Sequence, residues 1–323
     1  MILEITFFVV PLLVSIGTVS IVAKHNARTG ITGKDVNKAD KRELPEAVGL
    51  ALLAPLWTAI VLFNVFVAEN TGFVAFGLAV SVLSIIGFVD DRRHKFKVRP
   101  ISWISRAAIV SLVCLMFAMF YAPNVFWLVP FAVFIAGLAS FQNTFAGLNG
   151  WEVGSGLIIA AFVTSLLSSI GPMPIGIALV GAIAGLLLFN FYPAKVLPGD
   201  SGTLLIGSSI ACLVILNLRI ELMFLTTLFF LPHAVDFFGL KLLTNRQDMS
   251  QSKRLPYSLG PDNKLKVPVE KGGKVRYDFA KMLLRVFGPM PEWLVVTVIW
   301  IIVAANCTLW TLVFQALNPV SYT

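Results

Sequence analysis

Long apolar runs separated by short polar stretches make up most of this chain. Ten of them read as helices, at roughly 2–23, 48–68, 72–89, 102–121, 124–141, 156–170, 174–191, 203–218, 221–243 and 292–316. A helix needs about 20 mostly apolar residues to cross a bilayer. The runs lack the alternation of a barrel strand, and in lipid only helices or closed barrels satisfy the backbone. The pattern predicts an all-α polytopic membrane protein. The first run carries Glu4 and has no basic leader, so it reads as a span, not a cleaved signal.

Composition agrees: 57% of the 323 residues are hydrophobic and 13% charged, with mean hydropathy +0.85. That excludes a set of water-soluble domains, a disordered chain and a disulfide-stapled secreted fold. Cys114, Cys212 and Cys307 lie in apolar runs and read as buried free thiols. Of the 25 basic residues, all but Arg219 fall on one side of the ten spans, in segments 24–47, 90–106, 192–202 and 241–285. Lys and Arg mark the cytosolic side, so both termini are expected outside. The outer connections are a few residues each, and the working surface is expected among the cytosolic loops.

Acids and amides on that side are more telling, because topology does not require them. Asp90 and Asp91 close the third run, where a carboxylate faces the unfavourable end of the helix dipole unless a cation is near. Asn143 to Glu152 packs two amides, two glycines and a carboxylate between two spans. Glycine lets a backbone approach a ligand, and Asn both donates and accepts. Asp200 is placed just before the eighth run, where it could simply cap the helix. With Asp90, Asp91 and Asn143 on the same face, a hard-cation site is the stronger reading, since Mg²⁺ takes one or two protein carboxylates plus substrate phosphates. Asp236, inside the ninth run, is a site candidate or a partner of His233. His25, His94 and His233 read as structural. No P-loop, Rossmann or zinc pattern is present.

These segments resemble the polyprenyl-phosphate N-acetylhexosamine-1-phosphate transferase family, most closely its eukaryotic and archaeal dolichyl-phosphate branch. The likeness rests on Gly33-Lys34-Asp35-Val36-Asn37-Lys38 with Pro45-Glu46 and Gly49, on Asp90-Asp91, on Asn143 through Glu152, and on Tyr192-Pro193 with Gly199-Asp200. Ser140 stands where members often carry another Asn. The run of histidines typical of the cell-wall branch is absent, and Ser252-Lys253-Arg254-Leu255-Pro256 matches the dolichol branch's basic stretch in part. Leu197 takes the place of a uracil-stacking aromatic.

The resemblance implies transfer of N-acetylglucosamine-1-phosphate from UDP-GlcNAc to dolichyl or polyprenyl phosphate with release of UMP. It implies Mg²⁺, with Mn²⁺ as a substitute, held by Asn143 and Asp200. Asp90, Asp91 and Lys97 would be catalytic; Gly147, Asn149, Glu46, Leu197, Lys253 and Arg254 would contact substrate. The chain would form one catalytic domain over 1–323 with a cytosolic insertion at 244–290. In that insertion Lys264 to Tyr277 suggests a hairpin around Gly272-Gly273, and Asp278 to Phe287 an interfacial helix with Lys281 and Arg285 on its polar face. The expected setting is an archaeal cell membrane, or the ER membrane of a eukaryote. A homodimer is compatible and nucleic acid is not an expected partner. The rival is a transporter or channel for an anionic solute, which would carry ionisable residues deep in several helices.

Overall fold

A computed structural model describes residues 2–38, 40, 42–98, 101–168, 171–242, 257–260, 262–268 and 277–317. The chain opens with α1 (Ile2–Arg28) and a short antiparallel ribbon of β1 (Thr32–Lys34) and β2 (Glu43–Pro45). A 3₁₀ turn at Val48–Leu52 leads into α2 (Leu53–Phe66). There follow α3 (Thr71–Lys95), α4 (Trp103–Tyr121), α5 (Leu128–Thr144), α6 (Trp151–Leu166), α7 (Met173–Asn190) and α8 (Gly199–Leu216). Then come α9 (Ile220–Phe229) and α10 (Leu231–Ala234), the latter running into a π-helical segment, Val235–Leu242. A three-stranded sheet, β3 (Ser258–Leu259), β4 (Lys264–Lys266) and β5 (Met290–Pro291), with α11 (Phe279–Phe287), covers the start of α12 (Glu292–Leu317).

Among the described residues eight helices are long and apolar enough to cross a membrane. A ninth results if Ile220–Phe229 and Leu231–Leu242, bent by 54°, form one span. The expected sixth span corresponds to α6, which is apolar but shorter than those eight. The bend sits at Phe230-Leu231, immediately before Pro232, whose ring cannot continue a straight hydrogen-bond ladder.

Helix α8 is the axis of the bundle. Every residue from Ser201 to Ile215 is buried, and α3, α5, α6, α7 and α9 pack around it. Between membrane helices the drive is close packing, which small residues permit; α8 supplies Ser201, Gly202, Gly207, Ser208, Ser209 and Ala211. By contrast only 17% of α4's apolar stretch is buried, against 83% of α8's. The outer helices thus keep apolar side chains for lipid. The three cysteines are free and buried.

Several element ends differ from the sequence reading, and each difference brings a polar group to one edge. Helix α3 continues past Asp90-Asp91 to Lys95, its last turn carrying Arg92, Arg93, His94 and Lys95, which suit the negative end of the dipole. Helix α8 starts at Gly199, so Asp200 lies in its first turn and does not act as an N-cap. Strand β4 pairs with β3 on one side and β5 on the other, so Lys264–Lys266 is not the first arm of the expected hairpin, whose turn at Gly272-Gly273 lies outside the described residues. Lys281 is buried, its ammonium 3.5 Å from Asp278 and 5.6 Å from the centre of the Tyr257 ring, while Arg285 is exposed.

Helix α3 approaches α8 through Gly87, where a Cβ would lie 2.6 Å from the backbone carbon of Asp200. Ser84 reinforces the contact, its hydroxyl donating to the Ser201 carbonyl at 3.0 Å. Gly87→Ala is therefore expected to cost about 1–3 kcal/mol through overpacking, seen as a lower unfolding temperature of the detergent-purified protein. An unchanged transition would show that this contact is slack.

Candidate active site

Four helix ends meet at one edge of the bundle. The Arg106 guanidinium, on the first turn of α4, lies between two carboxylates: Nη1 is 2.7 Å from Asp90 Oδ2 and Nη2 is 2.7 Å from Asp200 Oδ2. From the end of α5, Asn143 Nδ2 donates to Asp200 Oδ1 and to Thr203 Oγ1, each at 2.8 Å. The Asp91 carboxylate accepts from the backbone N–H groups of Asp200 (3.2 Å) and Ser201 (3.3 Å). It therefore caps α8 from another helix, at the favourable end of that dipole. Gly199 makes this possible: its φ is +67°, and any side chain there would collide with Asp91 Oδ2. Asp90 Oδ1 is buried without a hydrogen-bond partner.

Glu46 stands beside this cluster at the end of the β1–β2 ribbon. Its backbone N–H donates to Ile31 O at 3.0 Å and its carbonyl accepts from Asn26 Nδ2 at 2.7 Å. Burial raises its carboxyl pKa above the ordinary 4.5; Lys95 and His94 counter that, and Asp200 adds to it. Lys95 itself bonds Thr32 Oγ1 at 3.0 Å.

A second polar group holds the loop between α5 and α6. Asn37 Nδ2 donates to Gly147 O at 3.0 Å, and Asn149 Nδ2 donates to Asp35 Oδ2 at 2.9 Å. The Asn149 backbone N–H donates to Glu292 Oε1 at 2.8 Å. Lys38 pairs with Glu292, lies 3.8 Å from Asp35, and sits 4.4 Å over the Tyr192 ring. A cavity of about 310 Å³ opens here, lined by Asn37, Lys38, Tyr192 and Glu292 among others. Leu197 fastens its loop to the first loop on either side of Glu46, donating to Pro45 O at 2.8 Å and accepting from Val48 N at 3.1 Å.

The structure thus gathers Asp90, Asp91, Asn143 and Asp200 into one cluster, with Glu46 beside it, and places Gly147, Asn149 and Leu197 on the adjoining loops. Lys97 is exposed beyond α3 and reaches none of these side chains among the described contacts. Lys253 and Arg254 lie outside the described residues. The expected His233–Asp236 pairing does not form. Asp236 takes Lys241 at 2.7 Å and the Phe279 N–H at 2.7 Å, while His233 stacks 4.0 Å from Phe145.

Two central residues escape a sequence reading. Arg106 looks like one more cation of the basic face, yet a cation in the first turn of an apolar span needs a partner. Glu292 looks like the first residue of a span, though an acid there suits a helix N-terminus. Neither signal names the partner.

No three Asp, Glu, His or Cys side chains form a ready-made metal cage among the described residues. Asp200 carries two carboxylate oxygens, one accepting from Asn143 Nδ2 and one paired with Arg106, and turning the Asn143 amide over would set its oxygen beside them. Two protein oxygens completed by phosphate oxygens make a set that Mg²⁺ accepts. With that amide turned, the oxygen types of Asn143 and Asp200 fit a divalent ion.

The helical bundle, with eight or nine helices apolar enough to span a bilayer among the described residues, is that of a multi-pass membrane protein. Residues 73–217, which span the cluster from Asp90 to Thr203, match glycosyl transferase family 4. A Methanocaldococcus jannaschii protein named as a glycosyltransferase is 34% identical over 84% of this chain and 83% of its own. A Saccharolobus solfataricus protein named as a UDP-N-acetylglucosamine–dolichyl-phosphate N-acetylglucosaminephosphotransferase is 27% identical over 72% and 76%. A Bacillus subtilis protein named as an undecaprenyl-phosphate N-acetylglucosaminyl 1-phosphate transferase is 24% identical over 68% and 64%. The chain belongs to glycosyl transferase family 4, the polyprenyl-phosphate hexosamine-1-phosphate transferases. These relatives give no support to a transporter.

The raised pKa of Glu46 predicts a pH effect of definite sign. A carboxyl that is harder to ionise folded than unfolded favours the folded state while protonated, and that contribution is lost as pH rises from 4.5 through the raised value. Glu46→Gln should therefore gain stability over wild type with rising pH in unfolding curves. A difference that shrinks as pH rises would contradict the assignment.

Proposed function

We propose that this enzyme transfers N-acetylglucosamine-1-phosphate, or a related N-acetylhexosamine-1-phosphate, from a UDP-sugar to dolichyl or polyprenyl phosphate and releases UMP. This is the first membrane step of N-glycan or surface-glycan assembly. The observation that carries the reading is the cluster of Asp90, Asp91 and Asp200 around Arg106 and Asn143, supported by the relatives named for this chemistry. The site faces the cytosol, because the connections that build it carry the basic residues, and the membrane is an archaeal cell membrane.

Both reactants are anions, so positioning and charge neutralisation dominate. An oxygen of the lipid phosphate attacks the β-phosphorus of the UDP-sugar; the bond from that phosphorus to the UMP oxygen breaks, and UMP leaves. A phosphate monoester has a second pKa of about 6 and is largely dianionic at neutral pH, so no strong base is required. Asp90 and Asp91 orient the acceptor and take any residual proton. Arg106 sets a fixed cation between the two halves of the cluster. Bound at Asn143 and Asp200, Mg²⁺ would supply charge neutralisation to the pyrophosphate. Lys97 and Arg254 neutralise further phosphate charge, and Glu46, Gly147, Asn149, Leu197 and Lys253 contact the nucleotide sugar. An apolar cavity of about 390 Å³ beside α5 and α9, lined by Phe134, Leu138 and Phe141 among others, suits the lipid tail. Residues 244–290 cover the sugar, and the whole chain acts as one domain.

Purified protein in detergent should release UMP from UDP-GlcNAc only when polyprenyl phosphate is present; absence of release across several UDP-sugars would overturn the reaction. Asp200→Asn keeps the shape of the side chain and removes its charge, and should lower kcat by at least about 100-fold. Near-normal turnover would overturn the role of Asp200.

A further inference from the structure

Asn149 is held at both its main chain and its side chain, and the chemistry of its partners fixes which way its amide points. The Asp35 carboxylate, 3.8 Å from the Lys38 ammonium, accepts hydrogen bonds and has none to give. The Asn149 atom 2.9 Å from it is therefore the nitrogen, and the amide oxygen is turned to the other side of the group. That oxygen has no protein partner among the described residues. The backbone N–H of Asn149 is bound to Glu292 Oε1, so the residue cannot slide to offer a different edge. Lys38, gripped by Glu292 and by the Tyr192 ring, completes the brace.

We propose that Asp35 is a positioning residue that sets base selectivity: by locking the Asn149 amide it presents an oxygen, an acceptor only, to the nucleobase. The inference rests on the reading of a uridine nucleotide as donor, with Asn149 facing the base. Uracil carries an N3–H, which such an oxygen receives. Cytosine has a lone pair at N3, so two acceptors would oppose each other and the buried amide would lose its partner. Asn149 alone could rotate its amide and serve either base. Asp35 removes that freedom, with Lys38 and Glu292 keeping it and the loop in register.

The test measures equilibrium binding of UMP, CMP and N3-methyl-UMP to the full-length protein in detergent with Mg²⁺, for wild type and Asp35→Asn. Wild type should bind UMP at least about 100-fold tighter than either analogue, a floor well inside the roughly 10⁴–10⁵ by which a site built to hydrogen-bond a ligand group rejects one lacking it. An Asn at position 35 can offer either amide edge, which frees Asn149 to turn. In that variant the UMP-to-CMP ratio should fall to within about tenfold, largely through tighter CMP binding, an outcome that mere loosening of the loop would not give. Wild type binding N3-methyl-UMP about as well as UMP overturns the proposal, and this arm needs no variant to fold. A folded Asp35→Asn protein that keeps the full ratio overturns it too. Failure of wild type to bind any of the nucleotides would instead refute the uridine-donor reading, and the inference falls with it.

Discussion

Three carboxylates crowded at one edge of the helical bundle would repel one another, and the structure depends on how that repulsion is contained. Arg106 stands between Asp90 and Asp200, and Asp91 faces the backbone N–H groups that open α8. One cation and one helix dipole thus hold α3, α4 and α8 together where their side chains are least compatible. Removing a single partner would leave a charge uncompensated at a partly solvated edge, which costs less than the several kcal/mol of a fully buried pair. The small residues of α8, with Gly87 and Gly199, serve the same end by allowing the backbones to come close enough for those contacts.

From this edge the functional assignment follows by charge. A nucleotide sugar and a lipid phosphate are both anionic, and the cluster they are proposed to meet in is itself acidic. Arg106 offsets only part of that charge. The remaining neutralisation, on this account, would come from a divalent ion held by Asp200 and Asn143. The neighbouring brace of Asp35, Asn37, Lys38, Asn149 and Glu292 has a different task, holding a loop in one shape. On this account neutralisation and recognition fall to separate groups, joined through the first loop, which carries Glu46 as well as Asp35 and Asn37.

Much of this was legible in the chain itself. Apolar runs locate the helices, and the acids and amides on the basic side point to the cluster's members Asp90, Asp91, Asn143 and Asp200. What could not be read was geometry beyond one element. The extension of α3 to Lys95 follows from basic residues that suit a helix C-terminus, while the polar character of Asp90-Asp91 suggested an earlier stop. Asp236 and Lys241 are five apart, a spacing that an α-helix turns away from a common face. The π-helical segment allows the pair, and no local signal marks it. Lys281 looked solvent-facing by periodicity, yet Asp278 and Tyr257 supply it with buried partners. Arg106 and Glu292 show the same limit, since their partners lie 16 to 254 residues away along the chain.

The central claim is that this acidic edge accepts a pyrophosphate only together with a divalent cation. Calorimetric titration of UDP into the detergent-purified protein, with Mg²⁺ and then with a chelator, tests it most directly. The account predicts saturable UDP binding with Mg²⁺ and its loss when the ion is chelated. Binding of equal strength under both conditions would contradict it.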